Sequence, residues 1–418
     1  MWKTRFHYVI GEVSCQAGAY THLQISGALL LSNSANYGVD FDQPFQPHND
    51  SMKWNRYAGS GPDVVPAWVA DMDFLAPAPV REAVQQRLEV APLGYAEAPQ
   101  ELLEVFRARM QKLYGWQVKQ EWLVVLPGVV PGLFGAVRTA GKAGDAVITQ
   151  TPNYHHFFGA AGYSDQRLLP LGHQLRGGRW EMDLDQLPHL AGQGARSFLL
   201  CNPHNPLGRV LSEQELSQVA EFCLQHDLLI CADEIHAELV LDGDKQHVPL
   251  ASLSPEVATQ SITLVSPSKA FNLPGIGAFA LAVIPDADLR ATFARRIYGL
   301  AAHPGALSFA AALAAWRDCD DWLAELLPYL RDNRDLLQQR VAAMTGVTMT
   351  HVEATYLAWL DVSALAIENP FEHFLAHGVA LSDGRPMGDG NFLRLNFGTS
   401  RARLEQIIQR MEVALGAR

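Results

Sequence analysis

Six apolar runs, alternating with helix-like stretches, constrain the fold of this chain more than any other feature. They are WLVVLPG (122–128), DAVITQTP (145–152), SFLLCNP (197–203), LLICADE (228–234), ITLVSPS (262–268) and AFALAVI (278–284). A strand that is apolar at nearly every position has both faces buried, as in a parallel sheet covered by helices. Helical patterns lie between the runs: PGLFGAVRTAG follows the first, and SEQELSQVAEFCLQH precedes the fourth. In the latter, Ser212 with Glu215 three residues on reads as a capping box. The alternation predicts an α/β fold, a large domain with a mostly parallel sheet flanked by helices. Ligand groups in such sheets collect at the carboxyl ends of the strands. Gly128, Asn202, Asp233 and Ser266 fall at or near those ends.

The last part of the chain changes character. Residues 322–344 read as one long helix, kinked or started near Pro328. Two short strand-like pieces, TYLAWLDV and FLRLNFG, then lead to an amphipathic helix, RARLEQIIQRMEVAL, which predicts a smaller α+β domain. The division expected is an extension over 1–40, loosely ordered, a bridging segment over 41–90, a large domain over 91–300 and a small one over 301–418. Compact sequence starts near VDFDQPF, so translation from Val39 is an expectation that mass spectrometry of the native N-terminus tests.

Of 418 residues, 48% are hydrophobic and only 18% charged, which suits a large core and excludes long disorder. The formal net charge of −12 disfavours nucleic acid and anionic membrane as partners, but not an anionic ligand held by local charge. ISGALLL, near the N-terminus, is far shorter than the roughly 18–20 apolar residues of a membrane helix. Five cysteines, an odd number with no C-x-x-C, read as reduced thiols of a cytoplasmic protein without a disulfide framework or metal cluster.

The chemistry starts at Lys269, in ITLVSPSKAFNLPGIG, where a serine-rich turn closes an apolar run. Upstream, LLICADEIH carries Asp233 at the end of another run. A lysine amine that condenses with an aldehyde, and a buried aspartate that holds a proton on a pyridine nitrogen, are the requirements of pyridoxal phosphate chemistry. S-x-x-K alone says little, because most lysines are solvated; the order of the other motifs gives it weight.

That order is GVVPGL (128–133), TPNYHHFF (151–158), NPHNPLGR (202–209), DEIHAE (233–238), SPSK (266–269) and RLNFGTSR (394–401). Over roughly residues 45–415 the chain resembles the fold-type I pyridoxal phosphate enzymes of the class I/II aminotransferase superfamily. WVADMDF (68–74), DEIH (233–236) and ATYLAWLD (354–361) are similar to the cystathionine β-lyase, or carbon–sulfur lyase, group of MalY/PatB type.

The resemblance implies roles. Lys269 would bind pyridoxal 5'-phosphate covalently and exchange the substrate's Cα proton. Asp233 would hold the pyridinium proton, Tyr154 would stack on the ring, and Asn202 would contact the phenolic oxygen and the substrate carboxylate. His236 takes a position where many relatives have tyrosine. Backbone N–H groups of Gly128, Val129 and Val130 at a helix N-terminus would cradle the phosphate, aided by hydroxyls of Ser266 and Ser268. Arg394 would grip the α-carboxylate with its planar fork, and Trp68 would line the substrate side. Tyr95, in LGYAEAP, would reach the phosphate of a neighbouring subunit, which implies a homodimer with the active site at the interface. Gly277 departs from the family, which often carries a phosphate-binding arginine there.

The implied reaction is β-elimination from cystathionine or a cysteine S-conjugate, giving thiol, pyruvate and ammonia. An aminotransferase acting on a small-molecule amino acid needs the same lysine, aspartate and arginine and is the alternative. A cofactor-binding regulatory protein without turnover is a third reading, disfavoured because Lys269 and Asp233 are both present.

Overall fold

The computed structural model describes residues 39–43, 47–61, 63–276, 279–300 and 302–416. The extension expected over 1–40 lies outside the described residues up to position 38, as do Cys15 and Gly277. Residues Val39–Arg418 form one compact unit.

All six predicted runs become strands: Leu123–Leu126, Ala146–Thr151, Ala195–Cys201, Leu229–Asp233, Ser261–Val265 and Ala280–Val283. They belong to one eight-stranded sheet. Its centre is parallel, with Arg167–Arg176, Ala146–Thr151, Ala195–Cys201, Leu229–Asp233 and Ser261–Val265 side by side. Ala280–Val283 then pairs antiparallel with Ser261–Val265, and Leu123–Leu126 antiparallel with Ala280–Val283. Two reversals return Leu123–Leu126 to the direction of the parallel centre, so Gly128 follows its strand at the same end as Asp233.

Side-chain alternation explains why these strands are apolar throughout. Val147, Leu199, Cys231 and Leu264 face the helices Val129–Ala140 and His155–Gly162. Ile148, Phe198, Leu200 and Ile230 face the other side, with Leu216 and Val219 of helix Glu213–Gln225. Both layers are buried, so a polar side chain in either set costs desolvation that an apolar one does not. Helix Glu213–Gln225 starts with the predicted capping box, Ser212 and Glu215 satisfying each other's backbone N–H groups.

The outer edge was not legible in the sequence. Arg167–Arg176 and Arg179–Met182 form an antiparallel hairpin through Gly177 and Gly178, whose φ angles of 56° and 79° favour glycine. These strands interleave polar and apolar residues because one side of this edge is solvated.

The C-terminal elements form a second, four-stranded sheet in the order Thr348–Met349, Leu357–Asp361, Phe392–Asn396, Ser382–Asp383. The long helix runs over Asp320–Val341 and passes through Pro328 rather than starting there. Helix Arg401–Ala414 closes the chain. Val65–Pro66 pairs in parallel with Val379–Ala380, which ties the segment before residue 80 to these elements.

Candidate active site

A cleft of about 620 Å³ opens at the carboxyl ends of the parallel strands. Lys269, Asp233, Arg394, Tyr154 and His236 line it, although they come from four separate stretches of sequence. Trp68, Val129 and Val130 also line it.

Asp233 closes the central strand Leu229–Asp233, and its Oδ1 accepts a hydrogen bond from Ile235 N at 3.1 Å. Burial pushes its carboxyl up to about 7; the Ile235 N–H and the charge of Lys269 oppose this incompletely. Such a carboxylate favours a ligand that brings it a cationic N–H. Lys269 Nζ donates to Ala70 O at 2.6 Å. Burial, with Arg394 nearby, lowers its amine to about 8, against the pull of Asp71 and Asp233. An amine near neutrality has a free lone pair available for attack on a carbonyl.

Arg394 sits on the strand Phe392–Asn396 opposite Ser382. Its Nη1 donates to Asn205 Oδ1 at 2.9 Å, and its Nη2 donates to Trp68 O at 3.0 Å and Ser382 Oγ at 3.2 Å. Its Nε is buried without a partner, and no carboxylate of the described residues pairs with it. Burial lowers this guanidinium to about 10. A buried cation paired only with neutral acceptors suits an anion, because a carboxylate would offset the cost of its desolvation.

Tyr154 precedes helix His155–Gly162, and its ring meets His155 and His156 edge-on at 4.7 and 4.9 Å. His236 is buried with Nδ1 unpartnered, and desolvation pushes it down to about 3, so it is a neutral imidazole at pH 7. Val129 and Val130 begin helix Val129–Ala140, and Gly128 stands before it with φ 137°. The first-turn N–H groups have no intrahelical acceptor and suit an anion such as a phosphate.

The two asparagines of N-P-H-N-P are placed differently. Asn202 does not line the cleft: its Oδ1 accepts from Leu211 N at 3.0 Å and its Nδ2 lies 3.5 Å from His247 Nδ1. Asn205, the second asparagine of N-P-H-N-P, lines the cleft and touches Arg394. The two differ because Asn202 ends the strand side of the turn and ties it to the start of helix Glu213–Gln225, while Asn205 lies at its far side. Nor do the serines line the cleft. Ser266 Oγ donates to Phe279 O at 2.7 Å and lies 3.0 Å from Ser268 Oγ, so the pair braces the turn before Lys269. Tyr95 is fully exposed and does not line the cleft of its own chain.

Sequence reasoning also missed the arch over residues 68–74. Val69 O and Asp71 O accept from Asn396 Nδ2 at 2.7 and 2.5 Å, and Met72 O and Phe74 O accept from Asn272 Nδ2 at 2.9 and 2.8 Å. Ala70 O accepts from both Lys269 Nζ and Tyr356 Oη, the latter at 3.0 Å. Below the arch, buried Lys53 pairs with Asp73 at 2.9 Å and with Asp71 at 3.3 Å. The motif WVADMDF was visible, but carbonyl acceptors leave no side-chain signal.

A family model for aminotransferase class I and II matches residues 70–411. Cystathionine beta-lyase PatB of Bacillus subtilis is 35% identical over 376 residues, covering 87% of this chain and 96% of its own. Among solved structures, OvoB matches with TM-score 0.88 and 43% identity over 91% of this chain and all of its own. Cystalysin from Treponema denticola, whose structure contains a pyridoxal 5'-phosphate cofactor, matches with TM-score 0.87 and 28% identity, covering 90% and 99%.

Proposed function

From the premise that the chain belongs to the aminotransferase class I and II family, we propose that it is a pyridoxal 5'-phosphate-dependent carbon–sulfur β-lyase. Its substrate would be cystathionine or another cysteine S-conjugate, which with water yields a thiol, pyruvate and ammonium. The observation that carries the reading is the convergence of a lowered lysine, a raised carboxyl and an uncompensated buried guanidinium on one cleft. The 35% identity to a cystathionine β-lyase directs that chemistry toward elimination.

The residues fit the cofactor. Asp233, raised by burial and lacking a cation in contact, would hold the pyridine nitrogen's proton, and the first turn of helix Val129–Ala140 would take the phosphate. Tyr154 would cover the ring, and Asn205 would take the role first read for Asn202. His236, kept neutral, would contribute no competing charge. When bound, the cofactor supplies an aldehyde for the lysine amine and a ring that withdraws the electron pair left at Cα.

The chain's residues do the rest. Arg394 binds the α-carboxylate and fixes which bond at Cα lies free. The amine of Lys269 takes the Cα proton, and the Cβ–S bond breaks with the pair leaving on sulfur. A thiolate is a good leaving group, so a strong acid beside it is not required. Ala70 O holds Lys269 Nζ on the cleft side of the arch, and Tyr356 Oη, which donates to the same carbonyl, steadies that acceptor.

We further propose a homodimer in the cytoplasm. Tyr95 stands fully exposed beside exposed Leu93, Val90 and Leu88, a stretch that a second copy would cover. The four described cysteines are all free and buried, which suits a reducing compartment. Among the described residues no helix is long and apolar enough to cross a membrane.

Incubation with cystathionine tests the reading. Pyruvate and free thiol formed without an added keto acid support the lyase. Product formed only when a keto acid acceptor is supplied would replace it with an aminotransferase.

A further inference from the structure

The outer wall of the cleft carries a second guanidinium with no role in the chemistry above. Arg56 follows the short helix Met52–Asn55, is solvent-exposed, and lines the same cleft as Arg394. Its Cζ lies 5.2 Å from the centroid of the Trp68 ring. No carboxylate of the described residues lies within ion-pair distance of it. The carboxylate on that outer wall, Asp383, is already taken by Arg385, whose backbone N and Nε donate to it at 2.9 and 2.7 Å.

Trp68 joins the two arginines. Its carbonyl accepts from Arg394 Nη2 on the inner side, and its ring lies against Arg56 on the outer side. The ring is fixed, because Nε1 donates to Lys53 O at 3.0 Å and Tyr57 packs edge-on at 5.6 Å, itself backed by Phe371 at 5.7 Å. A guanidinium held on an anchored aromatic face keeps its edge N–H groups free to make paired hydrogen bonds to an anion. The histidines of the cleft do not compete: burial pushes His155 down to about 4 and lowers His156, so both are neutral at pH 7. Among the described lining residues, the formal cations are then Lys269, Arg394 and Arg56.

We propose that Arg56 is a specificity-determining residue that binds a second, distal carboxylate carried by the leaving thiol. This rests on the β-lyase reading and narrows its substrate class. The preferred substrates are thioethers of cysteine whose other half is itself a carboxylic acid, as in cystathionine, rather than simple S-alkyl cysteines. The α-carboxylate lies on Arg394, the scissile bond near Lys269, and the distal carboxylate on Arg56, with the thioether chain passing along Trp68.

The test compares L-cystathionine with S-ethyl-L-cysteine, which keeps the α-groups and lacks the distal carboxylate. Pyruvate formation by the cofactor-loaded wild type, Arg56→Met and Arg56→Lys gives a kcat/KM ratio for the two substrates. Arg56→Met keeps an apolar side chain over Trp68, and any general loss from misfolding cancels in the ratio. The ratio is expected to fall about 10- to 100-fold in Arg56→Met, the range of a charge-assisted pair. The fall should lie in KM, and Arg56→Lys should recover part of it. An unchanged ratio would overturn the assignment. If the wild type releases pyruvate from neither thioether, the lyase reading fails separately. Titration calorimetry of the same two amino acids then decides on Arg56 alone: a preference for cystathionine that Arg56→Met abolishes supports it, and equal affinities refute it.

Discussion

The guanidinium of Arg394 donates to the side-chain oxygen of Asn205 at 2.9 Å, while Asn202, three residues before, faces Leu211 N and His247. The two asparagines of one motif therefore differ in place: one touches the arginine that lines the cleft, and the other braces the turn.

Replacing them individually should separate those roles. Asn202→Ala leaves the buried Leu211 N–H without its acceptor, an expected loss of about 1–3 kcal/mol of stability. The folded fraction should keep its kcat/KM. Asn205→Ala frees one arm of Arg394, and kcat/KM should fall about tenfold, or ~1.4 kcal/mol, with little change in melting temperature. Thermal denaturation and steady-state kinetics on both variants decide, and the reverse pattern would restore Asn202 to the ligand.

Asp233 predicts a pH dependence of stability before cofactor is added. Its folded value of about 7 lies above the ordinary 3.8, so folding favours its protonated form. Its contribution is fully present below about pH 4 and is lost as pH rises through 7. Urea unfolding of cofactor-free Asp233→Asn should therefore weaken less between pH 4 and 7 than the wild type. The loaded wild type should also be flatter, because a ring cation stabilises the carboxylate. Parallel slopes in all three samples would refute the burial argument. With the carboxylate gone, kcat should drop by about 100-fold or more.

Much of this was legible because it depends on local chemistry. Asp233 and Lys269 end or follow strands whose apolar composition marks them, and Ser212 with Glu215 announces its helix. Arg394 sits within a strand of mixed pattern and was found through its motif. What escaped depends on chain path. Nothing in N-P-H-N-P says which asparagine turns inward. The carbonyls of Val69, Ala70 and Asp71 become acceptors only once Asn396, Lys269 and Lys53 come near from distant parts of the chain. The hairpin at the sheet edge has too few buried faces to leave a clear period.

Lys269 gives a kinetic prediction with two signed controls. Its amine, lowered to about 8 chiefly by burial, should capture the cofactor aldehyde faster as pH rises through that value. Asp71 favours the charged form, so Asp71→Asn should move the profile to lower pH. Arg394 opposes it, so Arg394→Met should move the profile to higher pH. Stopped-flow absorbance of cofactor-free protein mixed with pyridoxal 5'-phosphate measures all three. Lys269→Ala should show no borohydride-fixed adduct, and normal trapping in that variant would remove Lys269 from the site.

The arch over residues 68–74 separates positioning from plain stability. Asn396 and Asn272 each clamp two of its carbonyls, and each also accepts a backbone N–H, from Gly398 at 2.8 Å and from Met72 at 2.9 Å. Truncating either to Ala removes comparable bonds, so both should lose about 2–3 kcal/mol of stability. Their positions differ. Asn396 grips Val69 and Asp71, on either side of the carbonyl that holds Lys269 and next to the Trp68 carbonyl that meets Arg394. Asn272 grips Met72 and Phe74, farther along. A loosened inner arch displaces acceptors that orient Lys269 and Arg394, whereas a loosened outer arch does not. Asn396→Ala should therefore raise KM several-fold beyond Asn272→Ala at equal folded fraction. The difference should vanish if the arch only supports the fold, because both variants would then shift melting temperature and KM alike.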